Sequence, residues 1–463
     1  MVVDWWRLAT TTHSSNRHDS TTGRAIQRAI LYARKTAVSQ MTERPPQPSA
    51  TIRAVGRTGV VSNGIILTAG AMAQAAVGVG AQLILMRLLV PDAFGNFATI
   101  LAGTSLAQVI LSLRLNILII RVTDAELEAK RDCFQAALVW ETAAAAAVTL
   151  IWLAGAGLLT AYALVVVASL AIGQWTNQMV AFYERTMAYR RMVAVETGSQ
   201  LVGHLTAVAL VFAGFGAASL YLRELTVALM RLGAFSRIGA LARPRFRLPR
   251  RHELNALIGD VRELWIDGVM EGGFARLIVL VAAFFGGPHG AGIFVQSQRL
   301  AIVPHQVLAP VVLRMSANLF SRIGDAAARH RLLVKMLLLT LICLVPAAGL
   351  TVAFADPVLP LGLGEQWRPA ADVLVAMIGV IVFFPAFELL RAYCLTQRRT
   401  GLVLGGRVVQ YAVFLIAAAL AVRGSDPIWI LASGLSAAYA GAFAVVAAGL
   451  AFQRPVRATV AAD

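Results

Sequence analysis

Long runs of apolar residues without a single charge restrict the fold of this chain more than any other feature. Ile65–Met86 contains no charged residue, and neither does Thr142–Tyr183. About 18 uncharged, mostly apolar residues are enough for a helix to cross a bilayer core of about 30 Å. The whole chain is 58% apolar and 14% charged, whereas soluble domains are roughly half apolar and a quarter charged. The sequence therefore predicts a polytopic membrane protein.

Twelve apolar spans follow a polar segment at the start of the chain. Each span is long and continuous, which is typical of a helix, whereas a barrel strand shows about ten residues of alternation. The predicted fold is all-α, with about 12 transmembrane helices. The spans are 63–86, 94–113, 134–156, 161–182, 192–213, 217–236, 264–286, 291–312, 332–355, 370–392, 402–422 and 428–451.

The basic residues predict how the spans are oriented. The net charge is +17. Most of the basic residues lie before span one and in the loops after even-numbered spans. The loop after span ten is assigned to Arg391–Arg407. The loops after odd-numbered spans hold little beyond Arg87, Arg368 and Arg423. Because cytoplasmic loops retain positive charge, both termini are expected in the cytoplasm, with the spans in a bacterial inner membrane. Topology explains the basic charge, so no nucleic-acid partner is predicted.

Composition divides the chain into five segments. Residues 1–60 are rich in Arg, Ser and Thr and are typical of a disordered cytoplasmic arm, with Met41 as an alternative start. No cleavable signal peptide is visible in this arm, so targeting is expected to depend on the first span. The other segments are a six-span lobe at 61–240, a basic linker at 241–263, a second six-span lobe at 264–452 and a cytoplasmic tail at 453–463.

A short motif, P-x-x-x-G-x-F, occurs at the same place in each half. It covers Pro91–Phe97 between spans one and two, and Pro288–Phe294 between spans seven and eight. In our interpretation Pro begins an outer turn, Gly allows a tight bend and an aromatic residue enters the next helix. Both halves begin inside and hold six spans, so the motif predicts parallel repeats about an axis along the membrane normal.

Polar residues inside the spans are the candidates for binding. A charge at the bilayer centre costs about 2.5–3.5 kcal/mol on insertion scales, so it usually faces a cavity or a partner. Gln296, Arg299 and Gln306 share one face of span eight and predict a cavity lining. Arginine suits phosphate because its planar fork donates two hydrogen bonds at once. Further candidates for substrate contact are Arg276 in span seven, Arg223 and Arg231 in span six, His204 in span five, and Gln174, Asn177 and Gln178 in span four.

Each candidate also has a structural alternative. Amides suit sugar hydroxyls, yet they also join helices by hydrogen bonds. Glu141 in span three, Glu224 in span six and Glu271 in span seven are candidates for ion coupling, and an ion pair with an arginine is the alternative. Glu224 and Arg231 share a face two turns apart, which suits an ion pair between them as well as contact with substrate. The three cysteines show no CxxC spacing, so neither a metal site nor a cofactor is predicted.

Four stretches carry a family resemblance over roughly residues 60–450. Arg87–Gly95 reads RLLVPDAFG after the first span, Gly364–Trp367 reads GEQW before the tenth, and Phe285–Pro310 and Gly214–Gly216 complete the set. In this order they resemble the polysaccharide exporter and oligosaccharide-lipid flippase families, within the superfamily that includes multidrug and toxin exporters. The resemblance implies two six-helix lobes around a central cavity, and alternating access. It also implies a polyprenyl-pyrophosphate-linked sugar as substrate, with membrane lipids and other polysaccharide-assembly proteins as partners.

The predicted function is therefore a flippase for a lipid-linked oligosaccharide in O-antigen, capsule or exopolysaccharide assembly, and not an enzyme. A multidrug-type exporter is the first alternative, although arginine inside the membrane weighs against a cationic substrate. A membrane-embedded polysaccharide polymerase or ligase is the second, and such enzymes carry a large outer loop. The longest outer loop predicted here is Asp356–Pro369. No P-loop is visible, so no ATP hydrolysis is predicted.

Overall fold

The computed structural model describes residues 74, 76–122, 124–185, 189–238, 250–323, 325–397 and 399–452. Within these ranges the backbone is helical apart from short turns and contains no strand. The predicted arm at 1–60, the predicted tail at 453–463 and the linker up to residue 249 lie outside the described residues.

Thirteen α-helices follow one another in the described ranges. They are α1 (Ala76–Leu88), α2 (Pro91–Leu111), α3 (Leu115–Arg121), α4 (Asp124–Gly155), α5 (Ala161–Arg185), α6 (Tyr189–Phe212), α7 (Ala218–Arg237), α8 (Arg251–Arg322), α9 (Ala326–Leu363), α10 (Arg368–Ala376), α11 (Ile378–Thr396), α12 (Thr400–Ala421) and α13 (Pro427–Phe452). Gly287 interrupts α8 with φ 60° and ψ −163°. We therefore treat α8 as two helices, α8a (251–286) and α8b (288–322).

Each of the twelve predicted spans falls on a helix where it is described. Spans seven and eight are α8a and α8b, and span ten is shared between α10 and α11. Seven helical stretches of the described chain are long and apolar enough to cross a membrane. These observations confirm an all-α polytopic membrane protein.

Two predicted loops are shorter than expected. Helix α8 already begins at Arg251, where the Glu253 carboxylate accepts a hydrogen bond from the backbone N–H of Arg250 at 2.8 Å. A side chain in the first turn that accepts from the residue before the helix satisfies a backbone N–H that would otherwise have no partner. Helix α9 continues to Leu363, so most of the outer loop assigned to 356–369 is helical.

Local chemistry explains where several helices begin and end. Pro91 and Pro427 open α2 and α13, because the first turn does not need the N–H that proline lacks. Asp325 caps α9 by accepting from the N–H groups of Ala328 and Ala327 at 3.0 and 3.1 Å. These two hydrogen bonds to its charged form hold the pKa of the Asp325 carboxyl below its usual range.

The helices pack in two sets. Apart from α2, whose largest contact is with α8, helices α2 to α7 contact mainly one another, most closely in the pairs α6–α7, α5–α7 and α2–α4. Helices α8 to α13 do the same, with the pairs α12–α13, α11–α13 and α8–α11. The α2–α8 contact is the most extensive of all the contacts between described helices and joins the two sets. One buried apolar cluster runs through both sets, from Phe94 and Phe97 to Phe274 and Phe414.

The repeated motif lies where α2 and α8b begin, and the two copies touch. A Cβ at Gly95 would stand 1.7 Å from the carbonyl oxygen of Pro288, and one at Gly292 would stand 1.9 Å from that of Pro91. Neither glycine has a positive φ, so the expectation that these glycines bend a turn was wrong. Their role is to let two backbones touch. The reciprocal contact is what two copies related by a two-fold axis would make.

The GEQW stretch packs at the same end of the molecule. The fully buried indole of Trp367 donates its Nε1–H to the carbonyl oxygen of Met86 at 2.7 Å and meets Phe94 edge to face. Gln366 also donates to the carbonyl oxygen of Leu89, at 3.4 Å. The two halves are thus held together at the end where α2 and α8b begin.

Candidate functional site

Three of the predicted arginines are electrostatic neighbours, with Arg299 as the member that interacts with the other two. Arg299 on α8b lies within electrostatic range of Arg223 on α7 and Arg276 on α8a. His204 on α6 is within range of Arg223 and Arg299. We call Arg223, Arg276 and Arg299 the arginine group. Its members come from both sets of helices, as residues lining a central site should.

A bridge of amides contacts the arginine group from α1. Arg299 donates from Nη1 to Oε1 of Gln82 at 3.3 Å, and Gln82 donates from Nε2 to Oε1 of Gln296 at 2.7 Å. Gln296 is almost fully buried. Sequence reasoning did not select Gln82, although it stands within the uncharged block Ile65–Met86. The signal available was a strongly polar amide in an otherwise apolar span.

The positive charge of the arginine group exceeds the negative charge of the acidic residues described near it. Glu224 lies 3.7 Å from Arg223 and is the one acid near the group among the described residues. The Nε atoms of Arg223 and Arg276 are buried and have no hydrogen-bond partner among the described residues. A buried donor without an acceptor costs about 1–3 kcal/mol, more when charged. The arrangement is therefore suited to an anionic ligand with several acceptor oxygens.

Two other candidates lie along the same helices. The Nδ1 atom of His204 is buried, and nothing in the described part of the chain bonds to it. A Cβ at Gly78 would lie 3.3 Å from Nε2 of His204, so α1 packs closely on α6 at this level. Gln306, about two turns beyond Arg299 on α8b, is exposed.

Arg231 and Asn177 belong to a different contact. Arg231 donates to Oε1 of Glu196 at 2.6 Å and to Oδ1 of Asn177 at 2.8 Å. This bond network ties α7 to α6 and α5. Glu224 lies near the adjacent Arg223, whereas Arg231, the alternative partner along the helix, pairs with Glu196 of the neighbouring helix α6. Spacing along one helix does not reveal such a partner.

Glu141 and Gln174 meet where α2 gives way to α3. Arg114 has φ 51° and ψ 35°, a left-handed conformation that interrupts the helix. The buried Glu141 accepts from the backbone N–H of Leu113 at 3.1 Å and from Nε2 of Gln174. A helix interruption frees backbone groups that must be satisfied, and Glu141 satisfies one of them. Gln178, one turn from Gln174, is buried, and its Oε1 has no partner within the described ranges.

Glu271 lies in a cluster of two carboxylates and two arginines in the C-terminal set. Arg391 donates to Glu271 at 2.8 and 3.1 Å and to Glu388 at 3.1 Å. Arg407 donates to Glu388 at 3.1 Å and to Gln410 at 3.0 Å. The charges of the four ionisable groups cancel. Arg391 and Arg407 lie inside α11 and α12, and their assignment to a loop hid this cluster from sequence reasoning.

The profile of a family described as polysaccharide biosynthesis protein matches residues 84–372, more than half of the chain. A sequence comparison with curated proteins gave no match.

Several solved transporters share the fold. The chain is similar to the lipid II flippase MurJ in an inward closed conformation, with TM-score 0.67 and 11% identity over 84% of this chain and 87% of that one. An inward-facing multidrug resistance MATE family transporter of the MOP superfamily gives TM-score 0.59 and 14% identity, over 84% and 96% of the two chains. A Vibrio cholerae MATE transporter gives 0.50 and 12%, over 84% and 95%. At such identities the likeness concerns the fold.

Proposed function

Because this chain belongs to the polysaccharide biosynthesis protein family, we propose that it flips a polyprenyl-pyrophosphate-linked oligosaccharide repeat unit across the bacterial inner membrane. The cargo would serve assembly of O-antigen, capsule or exopolysaccharide, and it would cross without a chemical change. The observation that carries the proposal is the arginine group, which draws on both sets of helices and holds three guanidinium groups beside one described acid, Glu224.

Pyrophosphate has the chemistry that the arginine group requires. Several anionic oxygens accept hydrogen bonds from guanidinium forks two at a time, and the negative charge offsets the excess of arginine over Glu224. A cationic drug would meet repulsion at the same place. The charge of the group therefore favours the lipid-linked sugar over a small-cation cargo, even though the fold is shared with multidrug transporters.

Alternating access supplies the movement. We take residues 61–240 and 264–452 as two lobes that rock against each other. In the present conformation the end near Gly95 and Gly292 is closed by backbone contact. Opening that end requires α2 and α8b to separate while each lobe stays packed. From the distribution of loop arginine we assign the closed end to the periplasm and both termini to the cytoplasm.

The sequence candidates divide into two classes under this proposal. Arg299, Arg276 and Arg223 bind the pyrophosphate, and Gln296 and His204 border them. Gln306 extends the same face of α8b toward the sugar. Glu224 is the counter-charge of Arg223. Most of the remaining candidates join helices: Arg231, Asn177, Gln174, Glu141 and Glu271. Gln178 is buried beside Gln174 and receives no role in binding.

Binding and export together test the proposal. Arg299→Gln and Arg276→Gln should each lower glycan export in cells while expression and the melting temperature remain close to wild type. Purified protein in detergent should bind farnesyl pyrophosphate more tightly than farnesol. Each Gln substitution should weaken pyrophosphate binding by about tenfold or more, which corresponds to one lost charge-assisted contact.

Arg231→Gln is the matched control, because it removes an arginine from a helix-joining ion pair of the same membrane domain. It should lower the melting temperature and leave pyrophosphate affinity unchanged. Normal export by both Gln variants of the arginine group would reject the anion-binding role. Tight binding of tetraphenylphosphonium by wild type, with none of farnesyl pyrophosphate, would favour the multidrug-type alternative.

A further inference from the structure

The hydrogen bonds that link Arg299, Gln82 and Gln296 have a fixed donor-to-acceptor direction. Arginine carries only donors, so the Arg299 guanidinium must contact the amide oxygen of Gln82. That contact leaves the amide nitrogen of Gln82 to donate, and it donates to Gln296 at 2.7 Å. The bonds therefore run in a single direction, from Arg299 through Gln82 to Gln296.

The partners of the described arginines differ in charge. Arg231 is met by Glu196, and Arg391 and Arg407 are met by Glu271 and Glu388. These carboxylates cancel the charge of the arginines they hold. Gln82 instead offers Arg299 a neutral oxygen, which fixes the direction of the guanidinium and leaves its positive charge for a ligand. A long, flexible side chain loses less rotamer freedom on binding if it is already held.

The bridge also crosses between the two sets of helices. Gln82 lies on α1, which packs on α6 of the N-terminal set where Gly78 meets His204, and Arg299 lies on α8b of the C-terminal set. Rocking of one set against the other would stretch the 3.3 Å contact between them. A bridge of this kind exists only in conformations where α1 and α8b are adjacent.

We propose that Gln82 is a positioning residue, which holds the Arg299 guanidinium ready for an anionic group in the conformation where α1 and α8b meet and releases it when they part. This inference rests on the proposed function, since it assigns Gln82 a part in the same anion site. Its role is to orient Arg299 and not to contact the pyrophosphate itself.

Two substitutions at Gln82 separate positioning from packing. Gln82→Leu keeps the size of the side chain and removes the acceptor, and it should weaken farnesyl pyrophosphate binding by about tenfold while farnesol binding stays unchanged. Gln82→Glu keeps the contact but adds a negative charge beside Arg299, and it should weaken pyrophosphate binding at least as much. The Glu side chain retains the length and the acceptor for Arg299, and a rotated Gln296 amide would donate to its second oxygen in place of the lost Gln82 donor. This variant therefore provides a folded protein for the assay.

A double-mutant cycle measures the coupling between Gln82 and Arg299 in farnesyl pyrophosphate binding, which a change in packing alone would not produce. If Gln82 acts through Arg299, Gln82→Leu combined with Arg299→Gln should bind farnesyl pyrophosphate no more weakly than Arg299→Gln alone. Gln410→Leu is the matched control, because Gln410 accepts a hydrogen bond from Arg407 at 3.0 Å in a separate cluster. Its pyrophosphate affinity should equal that of wild type.

The outcomes distinguish failure of the proposed function from failure of the role assigned to Gln82. If wild type does not prefer farnesyl pyrophosphate over farnesol, or if Arg299→Gln binds it normally, the proposed function itself fails. If Arg299→Gln weakens binding while Gln82→Leu binds like wild type, only the role of Gln82 is overturned. Equal losses for farnesyl pyrophosphate and farnesol in Gln82→Leu, or additive losses in the double mutant, would also overturn it.

Discussion

Gly95 and Gly292 are reciprocal neighbours: a side chain on either would strike the carbonyl oxygen of the proline that stands four residues before the other. The two helices therefore meet backbone to backbone at one end. Interfaces of this kind are discrete, since even one methyl group does not fit between the helices. The contact is thus expected to be either fully made or fully broken during transport.

An alanine at Gly95 or Gly292 should push α2 and α8b apart. Insertion of a methyl group into a packed contact costs about 1–3 kcal/mol, so each variant should melt at a lower temperature. The same change should favour conformations with this end open. The distance between spin labels on Asn96→Cys and His289→Cys, measured in purified protein, should shift toward longer values.

Gly405 on α12 provides the control for the glycine variants. Nothing lies within 4 Å of a Cβ at this position, and alanine is a better helix former than glycine by about 0.5–1 kcal/mol. Gly405→Ala should therefore be neutral or slightly stabilising. If Gly95→Ala and Gly292→Ala behave like Gly405→Ala, the ends of α2 and α8b do not close against each other as described.

The orientation in the membrane can be measured directly. A fusion of alkaline phosphatase after Gly290 should be active, and one after Arg251 should be inactive. The reason is that the loop arginine of this chain is concentrated on the side of Arg251, which is therefore expected to be cytoplasmic. Arg251 begins α8a, and Gly290 lies at the start of α8b, just beyond the other end of α8a. Phosphatase activity at Arg251 would reverse the assignment of the closed end to the periplasm.

Much of the fold was accessible from sequence because the bilayer leaves few choices. Uncharged runs such as Ile65–Met86 have to be helical in lipid, and the repeated motif indicated two related halves. The role of Gly95 was not accessible in the same way. Whether a glycine bends a turn or admits a neighbouring backbone depends on the helix opposite it, which one local motif does not specify.

Sequence reasoning selected the candidate residues whose burial in a membrane costs the most free energy. A buried guanidinium is expensive in a membrane, so Arg299, Arg276 and Arg223 stood out. The amide of Gln82 costs less and gave a weaker signal. Arg231 has the same chemistry as Arg223, yet it pairs with Glu196. That difference arises from tertiary neighbours, which spacing along one helix does not reveal.

The four-charge cluster of the C-terminal set should respond unequally to loss of its two acids. Glu388 lies 3.1 Å from both Arg391 and Arg407, whereas Glu271 lies 2.8 Å from Arg391 and 3.8 Å from Arg407. The Glu388 side chain is 14% exposed, against 43% for Glu271. Breaking a buried pair costs about 3–5 kcal/mol, so Glu388→Gln should lower the melting temperature strongly. Glu271→Gln should have a smaller effect, because Glu271 is less enclosed than Glu388 and its contact with Arg407 is longer, at 3.8 Å.

Transport measurements on the same variants test the predicted ion-coupling role of Glu271. Since Glu271 is held by Arg391, we expect Glu271→Gln to retain transport in proportion to the amount of folded protein. A stable Glu271→Gln variant that no longer transports would assign the carboxylate to coupling after all.

Glu141 should be replaceable by glutamine but not by leucine. Its carboxylate accepts from Leu113 and Gln174, and the Oε1 atom of Gln174 is buried without a partner in the described structure. A glutamine at 141 would still accept from Leu113, and a rotated Gln174 amide would accept from its new N–H group. Leucine would leave both Leu113 and Gln174 unsatisfied, at a cost of about 1–3 kcal/mol for each buried group.

The melting temperature and the transport rate of the two Glu141 variants decide what the carboxylate is for. If it serves the interruption between α2 and α3, Glu141→Gln should melt near wild type and transport at every pH at which wild type does. Glu141→Leu should melt well below it. A coupling proton would require a group that titrates, which glutamine does not. A Glu141→Gln variant with normal stability and no transport would therefore move Glu141 from the helix-joining residues to the coupling machinery.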